Sequence, residues 1–193
     1  TRLFVLVEGH HEELILDALF GDELRRLGVK VLNTGGVVGL KSAVNARFRF
    51  EFSAARVLAV TDKVAPERAR RIRDVAADPA AQGRQAEAVA AVRDELQGKL
   101  IEESSLKKAM VAAISAGAIE RLYAHPLDVD DVLDLLPCEA FVPGKTWEEL
   151  RKENDRDHGG GDFKKFMRSQ YKVDFGVDSV VLGVVAKMDH IPQ

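Results

Sequence analysis

The stretch Leu3-Phe4-Val5-Leu6-Val7-Glu8-Gly9 opens with five apolar residues and ends in an acidic residue and a glycine. A short, β-rich apolar run is typical of a buried parallel strand, and the glycine indicates the loop after it. From Glu12 to Leu27 apolar residues recur at helical spacing, and Gly28 is a typical helix stop signal. This part of the chain therefore predicts a strand, a loop and a helix.

Two further apolar segments continue the alternation. Residues 29–33 precede a Gly-Gly turn at 35–36, and residues 56–61 precede Asp62. Strands that alternate with helices predict a parallel sheet with right-handed crossovers and helices on both faces. Residues 118–124 predict a fourth strand. The fold class is thus α/β, a Rossmann-like, mostly parallel sheet of about four strands flanked by helices.

The middle of the chain predicts a helical insertion over about 66–117, because residues 66–100 are rich in Ala, Arg and Glu. Pro79 and Gly83 are expected to divide its first part into two helices. Residues 37–55 predict a short helix and a loop, with an extra strand as the alternative. Three phenylalanines there alternate with other residues, as in a strand: Phe48, Phe50 and Phe52.

We predict two domains, an α/β domain over 1–137 and a helical C-terminal appendage over 138–193. The first is expected to end with a short helix at 128–136, which has acidic residues in its first turn. The appendage is predicted to contain helices near residues 146–154, 162–170 and 177–188, with a polar loop at 155–161.

Composition limits the class of protein. A chain of 193 residues with 46% hydrophobic and 31% charged residues is globular rather than disordered or fibrous. The net charge of −3 excludes a uniformly basic surface, so contact with nucleic acid would be local. One cysteine, Cys138, excludes an intramolecular disulfide and predicts a structural thiol in a reducing compartment.

Without an apolar run of the ~20 residues that span a bilayer, we expect a soluble, cytoplasmic protein with no membrane partner. The absence of an initial Met suggests processing or excision from a longer chain.

Glu8 and Asp62 each follow an apolar strand, and the carboxyl ends of parallel strands are where functional groups gather. Two carboxylates that converge repel each other unless a proton or a cation intervenes. Mg²⁺ favours carboxylate and water oxygens, so it is the cation that we predict. Glu12 can reach the same edge from the first turn of the helix. The alternative for Glu12 is that it complements the positive end of the helix dipole.

The ordered set of motifs resembles a known family. Leu-Val-Glu-Gly-His-His-Glu at 6–12, Gly-Gly at 35–36 and Val-Thr-Asp at 60–62 are similar to a Toprim domain. They most resemble the Toprim part of OLD (overcoming lysogenisation defect) family nucleases. The resemblance covers residues 3–64 and, more loosely, 119–136. It implies a Toprim-like fold and Mg²⁺-dependent hydrolysis of nucleic-acid phosphodiesters, with DNA as the favoured substrate.

The resemblance also implies roles for individual residues. Glu8 would be a catalytic or metal-binding glutamate, Glu12 a metal ligand, and Asp62 the first acid of an Asp-x-Asp motif that is both catalytic and metal-binding. The second acid of that motif is replaced by Val64. Two-metal cleavage needs enough carboxylates to hold both ions, so the substitution leaves one or two metals open.

A substitute carboxylate is expected after the fourth strand, where Asp130 is preferred over Asp128 and Asp131. The alternative is that these acids only begin a solvated helix. His10 and His11 flank the proposed site, so Mn²⁺ is a second candidate cation, with simple exposure of both rings as the alternative.

Two basic segments are candidate nucleic-acid contacts. Arg68 and Arg71 follow Asp62, although a solvated helix with ion pairs explains them as well. Lys164, Lys165 and Arg168 follow a glycine-rich loop. Lys164 is the candidate catalytic cation, because a lysine can stabilise the charge on a transferring phosphoryl group.

Three interpretations of function follow. The first is a metal-dependent, endonuclease-like hydrolase, with nucleic acid as partner and a possible upstream ATPase domain or second copy. The second is a degenerate, non-catalytic Toprim module that binds nucleic acid or a protein partner. The third, a response-regulator-like domain with Asp62 as phosphoacceptor, fits the Glu8-Gly9 element poorly.

Overall fold

The structure is a computed structural model that describes residues 1–33, 50, 53–61, 66–95, 101–127 and 129–188. The chain divides into two compact units, Thr1–Asp130 and Asp131–Gln193. Each unit is described by itself.

The first unit alternates strands and helices in the predicted order. Its elements are β1 (Leu3–Val7), α1 (His10–Leu27), β2 (Val29–Asn33), β3 (Arg56–Thr61), α2 (Pro66–Ala81), α3 (Gln85–Glu95), α4 (Ile101–Ser115), a 3-10 helix (Ile119–Arg121) and β4 (Leu122–Pro126). Gly28 ends α1 in the left-handed conformation, with φ 73°, as its position predicts.

The four strands form a parallel sheet in the order β2-β1-β3-β4, which confirms the predicted α/β class. Leu3 of β1 pairs with Val29 on one side and with Arg56 on the other. From β1 the chain moves one way along the sheet to β2, and from β3 it moves the opposite way to β4. Right-handed crossovers therefore place α1 on one face and α2–α4 on the other. The direction switches between β1 and β3.

The core of the first unit lies between the sheet and α2–α4. Leu6, Val57, Ala59 and Leu122 project from the strands into it, each 2% exposed or less. Many of the helical residues that they meet are alanines, which let the helices approach closely. These small core residues include Ala69, Ala76, Ala88, Ala109 and Ala113. Val5 and Val7 are also buried and, by the alternation of a strand, point to the opposite face from Leu6.

The predicted break in the helical insertion lies at Gly83 and not at Pro79. Helix α2 continues through Pro79 to Ala81, and Gly83 adopts φ 73° before α3 begins. Pro79 stands in the last turn of α2, where its carbonyl accepts a hydrogen bond from Arg84 N at 2.8 Å. The missing amide of the proline therefore disturbs only the end of the helix.

The fourth strand begins later than the predicted 118–124. Residues Ile119–Arg121 form a 3-10 turn, and the strand follows at Leu122–Pro126. The Arg121 side chain donates to the backbone carbonyls of Phe50, at 2.6 Å, and Ser53, which holds this turn in place. Phe50 is buried in the core, while the predictions for residues 34–49, 51 and 52 lie outside the described residues.

The second unit is mostly helical. It contains two 3-10 turns (Val132–Leu135 and Cys138–Ala140), α5 (Trp147–His158), α6 (Phe163–Phe166), a π-helix (Met167–Tyr171) that continues α6, and α7 (Asp178–Val185). Helix α5 ends at His158, with Gly159 as its cap, so residues 155–158 are helical and not part of the predicted polar loop. The helix predicted at 128–136 is reduced to the turn at Val132–Leu135, which Asp131 caps.

The segment Asp131–Leu136 belongs to the second unit because α5 holds it. Arg151 donates to both carboxylate oxygens of Asp134, at 2.7 and 2.5 Å, and Trp147 Nε1 donates to the carbonyl of Leu136 at 2.8 Å. The predicted domain boundary after residue 137 therefore lies within this unit.

Aromatic side chains form the centre of the second unit. Trp147 lies 5.7 Å from Phe141, 6.2 Å from Phe163 and 6.4 Å from Phe175, measured between ring centroids. Trp147 is therefore a packing residue with its polar edge satisfied by a backbone carbonyl.

Among the helices that the structure describes, none combines the length and apolar character that crossing a membrane requires.

Replacing Arg151 with Ala should destabilise the chain by about 2–3 kcal/mol, because it leaves the Asp134 carboxylate without its charged donor. Burial raises the pKa of Asp134, and Arg151 opposes this rise. Without Arg151 nothing offsets the desolvation cost of the buried Asp134 carboxylate when it is ionised. The loss of unfolding free energy should therefore be largest near neutral pH and shrink as acid protonates Asp134. Urea unfolding at several pH values measures it. The exposed Arg156→Ala is the control, and an equal loss in both variants would contradict the assigned role.

Cys138 should react slowly with thiol reagents in the folded protein. Its side chain is buried, and burial raises the pKa of the thiol to about 11, with nearby Asp134 and Glu149 adding to the effect. The reactive thiolate is therefore scarce at pH 8. Colorimetric thiol titration should give slow modification of the native chain and rapid modification in denaturant. Equally fast reaction in both states would show that the thiol is accessible.

Candidate functional site

Glu8 stands at the carboxyl end of β1, on the edge of the sheet where the chain direction switches. The register pairs Leu6 with Ala59, so Glu8 and Thr61 each lie two residues further along neighbouring strands. Adjacent strands are ~4.8 Å apart. Glu8 is only 9% exposed. Asp62 follows Thr61 directly in the sequence but lies outside the described residues.

Glu12 turns back from the first turn of α1 towards the same loop. Its Oε2 lies 2.9 Å from the position that a Cβ would occupy on Gly9, and Glu12 is 7% exposed. Gly9 itself has an extended backbone, with φ −129° and ψ 179°, which any residue can adopt. The nearest obstacle to a side chain at Gly9 is therefore the end of the Glu12 side chain, which would have to move to admit a larger residue. The role of Glu12 as a metal ligand stays a prediction.

Thr61 is a buried polar residue beside the candidate site that the sequence did not single out. It is 1% exposed, and its hydroxyl has no hydrogen-bond partner within the part of the chain that is described. Strand alternation places it on the same face as Val57 and Ala59. Threonine is common in strands, so the residue type alone did not indicate a functional site. Its position did give such an indication, because it is a polar residue at the end of an apolar strand, directly before Asp62.

The predicted metal ligands are only partly placed. Glu8 and Glu12 are buried at one loop, whereas Asp130 is exposed beyond β4. Within the described ranges, which leave out Asp62, no group of three His, Cys, Asp or Glu side chains is close enough to hold a metal ion. The ligand set Glu8, Glu12, Asp62 and Asp130 therefore stays a prediction. The rings of His10 and His11 are 6.2 Å apart.

The arginines of α2 make contacts within the first unit. Arg68 Nη1 and Arg71 Nε each lie 2.7 Å from the same carboxylate oxygen of Glu95, at the end of α3. The Arg68 guanidinium also donates to the backbone carbonyl of Glu95. Arg68 therefore ties α2 to α3, while the side chain of Arg71 is 71% exposed. Their binding of nucleic acid stays a prediction.

The predicted cations of the C-terminal part lie in the second unit. Lys164 Nζ forms an ion pair with Asp131 at 2.8 Å. Lys165 and Arg168 have more distant acidic neighbours, Asp162 and Asp174, each at 3.7 Å. The charge of Lys164 is thus partly used to hold the start of the unit, and its catalytic role stays a prediction.

Comparison with known proteins gives one similarity. No family model matches the chain, and no curated protein matches it. Among solved structures, the chain is similar to the C-terminal region of the OLD protein of Xanthomonas campestris pv. campestris. The two are 13% identical over 97% of this chain and 86% of that chain, with a TM-score of 0.40. Similarity at this level establishes neither family membership nor function.

The contact between Gly9 and Glu12 can be tested by a double-mutant cycle. Gly9→Ala should destabilise the chain by about 1 kcal/mol or less, because the new methyl group makes the end of the buried Glu12 side chain move. In a Glu12→Ala background the same substitution should cost little. Urea unfolding of the four proteins gives the coupling energy. An equal cost of Gly9→Ala in both backgrounds would show that the carboxylate does not occupy this space.

Proposed function

We propose that the chain is a Toprim-like module that uses Mg²⁺ to hydrolyse phosphodiester bonds of nucleic acid, with DNA as the favoured substrate. The observation that carries the proposal is the pair of buried glutamates, Glu8 and Glu12, at the loop after β1. This loop lies at the switch point of the sheet, where ligands of open parallel sheets bind. Asp62 follows the neighbouring strand β3 and completes the proposed site.

A divalent cation fits the chemistry of these residues. Burying ionised carboxylates in one loop is costly, and a cation offsets both the desolvation and the mutual repulsion. All the proposed donors are oxygen atoms, which Mg²⁺ prefers, and Mn²⁺ can take similar ligands. Bound there, the cation would polarise a phosphoryl oxygen and lower the pKa of a coordinated water. Glu8, Glu12 and Asp62 would hold it, with Asp130 as a further candidate.

The reading as a nuclease rests on the motif resemblance together with this carboxylate loop. Glu8 and Asp62 would act as the catalytic acids, and Lys164 as the cation that neutralises charge on the phosphoryl group. Because Val64 stands where a second aspartate is expected, we propose that the site holds one metal ion rather than two. An upstream ATPase domain or a second copy of the chain is a further proposed partner.

The same Val64 favours a second candidate function. A module that keeps Glu8, Glu12 and Asp62 but lacks the second aspartate can bind a cation and nucleic acid, or a protein partner, without cleaving the substrate. This candidate shares the metal site with the first. The two differ only in turnover.

Calorimetric titration with Mg²⁺ and Mn²⁺, paired with cleavage assays on supercoiled and linear DNA, separates the two. Wild type should bind one ion and nick DNA. Glu8→Gln should weaken metal binding by more than the roughly 10–100-fold that loss of a mere supporting group costs, and should abolish cleavage. Asp17→Asn, an exposed acid of α1, is the matched control and should behave as wild type.

Each result has a defined meaning. Metal binding that Glu8→Gln removes, without cleavage of any substrate, selects the non-catalytic module. A folded wild-type chain that binds neither cation, with circular dichroism as the check on folding, would overturn both candidates.

A further inference from the structure

The second unit contains a groove of about 440 Å³ between the end of α5 and the π-helix. We call it the basic groove. The lining residues used below are Asn154, His158, Gly161, Lys165 and Arg168. All of them belong to the second unit, whereas the carboxylate loop after β1 belongs to the first.

Local backbone features build the basic groove. Gly159 and Gly160 both adopt left-handed conformations, with φ 63° and 70°, so the chain reverses tightly after α5. Asn154 Nδ2 donates a hydrogen bond to the carbonyl of Gly161 at 2.9 Å, which fixes the backbone that leaves this turn. The π-helix Met167–Tyr171 then presents Arg168 to the groove. Single π-turns are rare and are frequent at functional sites.

The end of the π-helix is also unusual. Lys172 has φ 60°, the one positive φ of a non-glycine residue within the described part of the chain. Such conformations persist where the surrounding structure fixes them, and they cluster at ligand-binding sites. The π-helix that carries Arg168 therefore ends in a second uncommon backbone feature, although Lys172 itself does not line the groove.

The charge of the groove is positive. Lys165 and Arg168 project with side chains 75% and 59% exposed, and each lies 3.7 Å from its acidic neighbour. Exposed ion pairs at this distance are weak, so both cations can bind an anion from solution. His158 also lines the groove, with its Nε2 3.3 Å from Gln170 Nε2, and Asp162 is the acid that lines the groove among the described residues.

The floor of the groove adds an acceptor. Asn154 is 5% exposed, and its Oδ1 has no hydrogen-bond partner among the described residues, while its Nδ2 is bound to Gly161. Buried amide oxygens of native proteins nearly always receive a donor. A ligand that places a phosphate on the two cations and a separate hydrogen-bond donor on the amide oxygen, as a nucleotide can, matches this combination.

We infer that the basic groove binds the backbone of nucleic acid, with Lys165 and Arg168 on phosphates and a sugar or base donor directed to Asn154. The inference rests on the proposed function for the class of ligand. It does not depend on the metal site, because phosphate contacts by lysine and arginine need no divalent cation.

Fluorescence anisotropy with a fluorescein-labelled 20-nucleotide DNA strand tests the inference in EDTA, where no metal is bound and no cleavage occurs. The variant Lys165→Gln/Arg168→Gln should lower affinity at least tenfold at low salt. It should also reduce the slope of log K against log salt by about 1–2, as the loss of two phosphate contacts predicts. The control Lys152→Gln/Arg156→Gln removes the same charge from exposed positions of α5 outside the groove and should leave the slope nearly unchanged.

Three outcomes would overturn the inference: no binding by wild type, equal losses in both double variants, or full competition by inorganic phosphate. Tighter binding to phosphatidylserine vesicles than to DNA, lost in the groove variant, would assign the groove to anionic lipid instead. Binding of DNA by wild type in EDTA reports on the groove, and the calorimetric titration with Mg²⁺ reports on the metal site. Failure of the metal site and failure of the groove are therefore measured separately.

Discussion

The parallel pairing of β1 between β2 and β3 is the constraint on which the first unit depends. A central strand is covered on both faces and hydrogen-bonded on both edges, so residues 3–7 have to be apolar. The first polar side chain after them is Glu8, and it emerges where β1 and β3 diverge into opposite crossovers. The position of the carboxylate thus follows from strand pairing rather than from the loop that carries it. Gly9 then gives Glu12 the room to join it.

The hydrophobic cores of the two units are built from different types of residue. The first packs a sheet of aliphatic residues against helices whose buried positions are largely alanine. The second has no sheet among its described residues and packs around Trp147 and its phenylalanine neighbours, with Arg151 both bound to Asp134 and stacked 4.5 Å from the centroid of Phe163. The turn that follows its helix α5, at Gly159 and Gly160, shapes the basic groove.

Much of the fold could be predicted from the sequence because strands and stop signals are local. The apolar run at 3–7 and Gly28 needed no tertiary information. Gly83 rather than Pro79 broke the helix, since a proline in a last turn costs only terminal hydrogen bonds. The late start of β4 depends on Arg121 reaching carbonyls about 70 residues earlier in the chain, a contact that no local pattern reveals.

Some features of the candidate site could likewise be predicted from the sequence, and others could not. Glu8 could be found from strand ends, whereas the space above Gly9, the buried hydroxyl of Thr61 and the groove beside Asn154 exist only after folding. Lys165 and Arg168 could be recognised as basic residues, but their distinction from Lys164, which pairs with Asp131, required coordinates.

Because the buried residues of α2 and α3 are largely alanine, this core loses little when a side chain is shortened but is disturbed when one is enlarged. At Ala69, Ala76 and Ala88, which are 4% exposed or less, the side chain is already a single methyl group, so truncation can remove almost nothing. Every larger residue, in contrast, has to push two helices or a helix and the sheet apart, typically at about 1–3 kcal/mol. Sequence drift at these positions is therefore restricted by volume, and the spacing of the helices over the sheet is fixed by the smallest side chains in the unit.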